Sequence, residues 1–310
     1  MRAPGMVATA VRRADGSIVV RKEPFVSFSE KYRVLRLPVL RGALGLAEML
    51  IVGIRTLNFS AEIALKDVEQ TEGRGDGESG RRGDGGGWKL GVTGACAFVI
   101  GVAVFFITPL LVTTSLFSVE QEPVRFNLIA GGMRVILLLA YLGLISLMKD
   151  VKRLFQYHGA EHKAVYAFEA GELLTLPAAM AQTRFHPRCG TSFLLVVMVV
   201  AILLFSLFDA VVIQWLGHIN VVLRIATHIP LLPFVAGVSY EFIKASARHS
   251  TTAFGRLIVA PGLWLQKITT KEPDQHQVEV ALTALRAALG EDDGRTSARY
   301  LNLLQEISVN

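Results

Sequence analysis

The chain has only two cysteines in 310 residues. Cys96 stands in an apolar block and Cys189 in a polar loop, so the two are not expected to meet, and a disulfide framework is excluded. A secretory leader is not expected either: Met1 to Phe25 is polar and basic with no apolar core, so the first spanning helix is expected to serve as the insertion signal. Residues 67–89 contain a Gly-rich run of mixed charge, TEGRGDGESGRRGDGGG, with almost nothing to bury. That composition predicts a disordered linker. Lys and Arg are scarce in two short places, since residues 118–127 hold only Arg125 and the turn after Leu216 holds none.

Apolar residues, by contrast, are abundant. They make up 52% of the chain and give a mean hydropathy of +0.44, well above the soluble norm. They lie in uninterrupted blocks rather than at helix or strand periods among charges. Residues 90–117, 128–148, 192–216 and 219–240 are each near or above the roughly 20 residues that cross a hydrocarbon core. The last contains Arg224, His228, Pro230 and Pro233, which are expected to break it and to need neighbours or water.

The net charge of +6 does not point to nucleic acid, because the cations fall between the apolar blocks. The partner they imply is the lipid bilayer. Fifteen Lys and Arg lie up to Lys89, six in residues 149–191 and eight from Glu241 onward. By the positive-inside rule both termini and the central segment are expected in the cytoplasm of a multi-pass inner-membrane protein.

The expected fold is therefore mainly α: a polytopic transmembrane helix bundle with four spans, interfacial helices and a small N-terminal β hairpin. The hairpin falls in residues 1–38, around the Asp15-Gly16 turn. Residues 39–66 show helical apolar spacing interrupted by Arg41, Glu48, Arg55 and Asn58, which suits an amphipathic interfacial helix. A second interfacial segment is expected over 241–270 and cytoplasmic helices over 271–310, where Val278 to Leu289 carry an amphipathic pattern. Arg134, in the second span, is expected to snorkel to lipid phosphate, and the Gly42/Gly45 and Gly131/Gly132 pairs to allow close helix packing.

Chemistry concentrates in residues 149–191. The second span is expected to continue as one long helix through His158, Glu161, His162 and Lys163 towards Glu169. His158 and His162 are four apart, so both imidazoles leave one helical face about one turn apart, as a zinc site on a helix requires. His158-x-x-Glu161-His162 is also the inverted zincin spacing, in which two His bind metal and the Glu activates water. In that reading Glu161 is the catalytic general base. A second cluster, His186-Pro187-Arg188-Cys189, places an imidazole and a thiol three apart in a turn, and that donor set favours zinc. The expected zinc ligands are His158, His162, His186 and Cys189, with Glu169, Lys163, Arg188, Arg224 and His228 as further polar candidates. Against this stands a structural role, in which the histidines cap helices or bind lipid phosphate and Cys189 is a buried thiol.

The strings HGAEHK, HPRCGTSF, RGALGLAEMLIVGIRTLNFSA, TTKEPDQHQVEVALTAL and MRAPGMVATAVRRADG resemble, in the same order, the YqhQ-like family of bacterial membrane proteins, a domain of unknown function. The resemblance covers nearly the whole chain outside the Gly-rich linker and the extreme tail. It implies a multi-pass membrane protein described as predicted metal-dependent, with no settled substrate. His158, Glu161, His162, Lys163, His186, Arg188 and Cys189 match the family pattern. Members usually carry a further Gly-rich stretch before Met-Arg-Ala-Pro-Gly, whereas here Met1 begins inside it.

Two functions remain open on the sequence. One is a membrane-embedded metalloprotein, a hydrolase acting on a membrane-proximal lipid or peptide. The other is a transport, lipid-handling or assembly protein, with Arg224 and His228 lining a path and the His/Cys cluster structural. A homo-oligomer is compatible with either.

Overall fold

The computed structural model describes residues 1–71, 87–187, 189–248 and 252–290. Most of the expected linker, residues 72–86, and the end of the expected C-terminal helices, residues 291–310, lie outside the described residues. Strands β1 (Arg2–Ala3), β2 (Met6–Arg12) and β3 (Ile18–Pro24) form one antiparallel sheet. The expected hairpin is its β2–β3 half, pairing Met6 with Pro24 and Arg12 with Ile18. Gly16 at φ 87 supplies the left-handed residue of the turn. A short helix α1 (Phe28–Lys31) leads to α2 (Leu40–Thr71), the expected amphipathic helix.

Among the described residues, four helical stretches are long and apolar enough to cross a membrane: Val92–Leu116, Pro123–Ile145, Phe193–Leu216 and Val221–Ser246. The first combines α3 (Gly87–Val102), a π-helical stretch (Ala103–Ile107) and α4 (Thr108–Leu116). The second is α5 (Pro123–Ile145). It does not run on into the next element, as the sequence led us to expect. Leu147 and Met148 donate their N–H groups to the Leu144 and Ile145 carbonyls in a tightened last turn, and Met148 itself is extended, which ends the helical ladder.

A separate helix α6 (Lys149–Glu169) then carries the histidines, followed by α7 (Leu176–Ala181). Helix α8 (Gly190–Leu216) is the third span and α9 (Val221–Arg248) the fourth. Pro230 and Pro233 do not break α9, which stays helical through both. Protein neighbours and local hydroxyls can satisfy what a proline frees in such a span. Helices α10 (Ala253–Thr269) and α11 (Gln275–Leu289) follow.

Among the described residues two apolar cores result. Phe106, Leu110, Phe126, Ala130, Phe205 and Val235 pack between the spans. The outward faces stay apolar and uncovered, Ile136 and Leu144 of α5 being 67% and 68% exposed, as contact with lipid demands. The second core lies outside the spans and joins distant parts of the chain. Ala160, Ala164 and Ala167 of α6 meet Val278, Ala281 and Leu285 of α11, with Ala3 and Ala8 of the sheet. The small side chains let the helices approach closely, so both ends of the described chain clamp the central helix. Arg41 on α2 pairs with Glu241 on α9, and a Cβ on Gly42 would sit 2.7 Å from the Tyr240 Cβ. That contact fastens α2 to the fourth span.

Candidate metal centre

Helix α6 presents His158 and His162 one turn apart, with ring centroids 4.4 Å from each other. Cys189 arrives from the other side as the N-cap of α8, where its sulfur accepts from the Thr191 backbone N–H. One ligand atom from each of His158, His162 and Cys189 can be chosen so that all lie within 4.8 Å of one another. The His158 Nε2 to Cys189 Sγ distance is 3.2 Å.

Backbone carbonyls aim both rings. His158 Nδ1 lies 2.9 Å from the Thr269 carbonyl and His162 Nδ1 2.6 Å from the Arg184 carbonyl. A carbonyl can only accept, so Nδ1 carries the proton in each ring and Nε2 is left for the shared point. Thr269 ends α10 and Arg184 lies in the loop before Cys189, so the site needs α6, α8 and α10 together.

Burial by itself would push the Cys189 thiol up, but hydrogen bonds from His158 and His162 outweigh it and bring the thiol down to about 5. Burial likewise opposes charge on His158, yet its hydrogen bond with Cys189 leaves the imidazole raised above its ordinary value. The lowered thiol favours thiolate, the form of Cys189 that binds metal. A tetrahedral ion with the usual Zn–N and Zn–S lengths spaces its donors by about 3.6 Å. The triad is near that spacing, and its two imidazoles and one thiolate suit zinc.

Of the other expected residues, His186 is buried beside the triad, its ring centroid 5.6 Å from that of His162. Its Nε2 is 3.2 Å from Glu169 Oε2, and Tyr166 packs against it. Its backbone is clasped by Gln266, which accepts from the His186 N–H and donates to its carbonyl. Lys163 is 5% exposed and holds the site loop, donating to the Met180 and Gln182 carbonyls and pairing with Glu272 at 2.8 Å. Glu161 is exposed and lines a neighbouring groove of about 360 Å³ with Met1, Arg2, Thr56 and Glu169. It is close enough to favour the charged form of His158. Arg188 lies outside the described residues.

Gly159 has a specific task here: a Cβ at this position would stand 2.3 Å from the Lys271 carbonyl. Lys271 also donates its N–H to the Phe155 carbonyl, so α6 and the segment after Thr269 touch backbone to backbone. Gly159→Ala should force this contact open, cost about 1–3 kcal/mol as overpacking does, and displace the carbonyl that orients His158. A thermal melt of the purified protein in detergent checks it. An unchanged melting temperature would contradict the contact.

Arg224 and His228 belong to a different place. Both are fully buried on α9 and converge on Asp209 of α8, at 2.9 and 2.8 Å. Asn127 of α5 donates to the same carboxylate at 2.7 Å, and Arg224 also donates to the Glu120 carbonyl. The sequence reading missed Asp209, although a lone carboxylate inside the most apolar span was a legible signal. Arg134 does not snorkel to lipid phosphate. It is buried, with its guanidinium 4.9 Å from the Phe106 ring centroid, because the second span turns that face towards the bundle.

The Bacillus subtilis (strain 168) protein described as uncharacterized protein YqhQ is 33% identical over 284 residues, which is 91% of this chain and 86% of that one. No solved structure matches. The profile of a family described as protein of unknown function, DUF1385, matches residues 37–291, and the chain is a member of that family.

Proposed function

We propose that this protein binds zinc through His158, His162 and Cys189 beside the inner leaflet and acts as a metal-dependent hydrolase on a membrane-proximal substrate. The observation that carries the reading is the convergence of the three donors, with both imidazoles oriented by backbone carbonyls. Three protein ligands leave one position open, the composition of catalytic rather than structural zinc sites. Bound zinc would lower the pKa of water towards neutrality. The chain's own part is to hold the donors, to keep His186 and Glu169 paired next to them, and to offer Glu161 as base.

The centre lies at the end of the bundle opposite the two short loops, which meet where Gln121 and the Ile219 backbone exchange hydrogen bonds. The cation distribution supports an inner membrane with this end and both termini in the cytoplasm. Elemental analysis of the purified full chain tests the metal. About one zinc per chain is expected, and no stoichiometric metal would sink the reading. Glu161→Gln should keep zinc and the melting temperature while abolishing hydrolysis. Loss of zinc in that variant would assign Glu161 to the scaffold instead.

One set of contacts favours a second reading. Cys189 sits at a helix N-terminus against His158 with its pKa at about 5, which are the features of a cysteine nucleophile with its base. Zinc protection of Cys189 from iodoacetamide supports the metal; equal alkylation with and without zinc supports the nucleophile.

A further inference from the structure

A groove of about 430 Å³ runs between α8, α9 and α10 on the membrane side of the triad. Leu195, Val199 and Leu203 form one wall and Val238, Phe242 and Val259 the other. At one end stands Pro187, next in the chain to His186 and two residues from Cys189. The hydroxyl in the lining belongs to Ser246, and it is committed to the Phe242 carbonyl at 2.9 Å. Such a wall has little to offer a polar ligand, and a peptide laid along it would leave its own N–H and C=O groups unsatisfied.

The dimensions fit a hydrocarbon chain. From Leu195 to Leu204 the groove follows about 14 Å of helix, roughly one leaflet of a ~30 Å core. The groove is open to the lipid side, with Val199 56% and Leu203 65% exposed.

Its depth has an independent marker. Trp264 and Lys267, exposed on α10 just beyond Gly262, are residue types that collect at the headgroup level. We infer that the groove holds one acyl chain of a membrane phospholipid, so that the headgroup end of the lipid lies beside His158, His162 and Cys189. The inference rests on reading that triad as the metal centre, and it makes a phospholipid the substrate class.

The test uses the full chain in liposomes doped with a phosphatidylcholine carrying a diazirine in its acyl chain, followed by mapping of adducts. Val199, Leu203 and Val259 should be labelled several-fold more than Ile136 and Leu144, which face lipid on α5. Val199→Trp should remove most groove adducts and leave bound zinc unchanged, whereas Cys189→Ser should remove zinc and leave the adducts. Labelling no higher in the groove than on α5 would overturn the proposal, and so would exclusion of the probe by a second copy. If Val199→Trp fails to fold, the wild-type comparison with α5 decides. Groove labelling in a protein that binds no zinc would keep the lipid site and refute its link to the metal.

Discussion

His162→Ala should lose stoichiometric zinc, and His186→Ala should keep it. Both histidines belong to the expected donor set, but of the two it is His162 that brings a ring nitrogen to Cys189, while His186 directs its Nε2 at Glu169. Removing one of three ligands should weaken binding by more than the ~10–100-fold that loss of a ligand's hydrogen-bond partner costs. Cys189→Ser should behave as His162→Ala does, because a hydroxyl is a poor substitute for thiolate. Zinc at 100-fold excess over its Kd would stabilise the wild type by about 2.7 kcal/mol, so the metal-induced shift in melting temperature should vanish in both variants. Equal zinc loss in His162→Ala and His186→Ala would restore the four-donor centre, and retention by both would remove the centre.

Asp209→Ala should be the most destabilising substitution within the spans. The Asp209 carboxylate accepts from Arg224, His228 and Asn127, and none of the four has measurable exposure. Its removal leaves a guanidinium without a counter-charge inside the bundle, which costs about 3–5 kcal/mol. The Phe126 ring, 3.5 Å from the Arg224 guanidinium carbon, recovers only part of this, since a cation–π contact is worth about 2 kcal/mol when desolvated. Asp209→Asn should fall between, keeping hydrogen bonds and losing the charge. Replacing Asp209, Arg224 and His228 together by apolar residues should recover most of the loss, as happens when a whole buried ion group is exchanged. Denaturant unfolding in detergent micelles measures all three. Equal stability of Asp209→Ala and wild type would show that the charges are solvated, as a transport path would make them.

The spans were legible because lipid imposes a composition on about 20 successive residues, and no distant partner can change that requirement. The hairpin was legible for a local reason too, since Asp15-Gly16 provides the left-handed turn residue. His158 and His162 were readable as neighbours because helix geometry places i and i+4 together. Arg134 was misread because composition states that a cation is in the span, not which way the helix is rotated. The continuous helix after the second span was misread because helical spacing on both sides of Met148 does not reveal that Met148 itself is extended and starts a new helix.

The sequence by itself determined the membrane-spanning character, the helical class and the donor types, all of which depend on side-chain chemistry and short-range geometry. Only the tertiary structure decided which donors meet. Cys189 reaches His158 because α8 begins where α6 passes, and the carbonyls of Thr269 and Arg184 turn the two rings inward. Those contacts join residues up to 111 positions apart. Their geometry follows from how the helices pack, which no local pattern encodes.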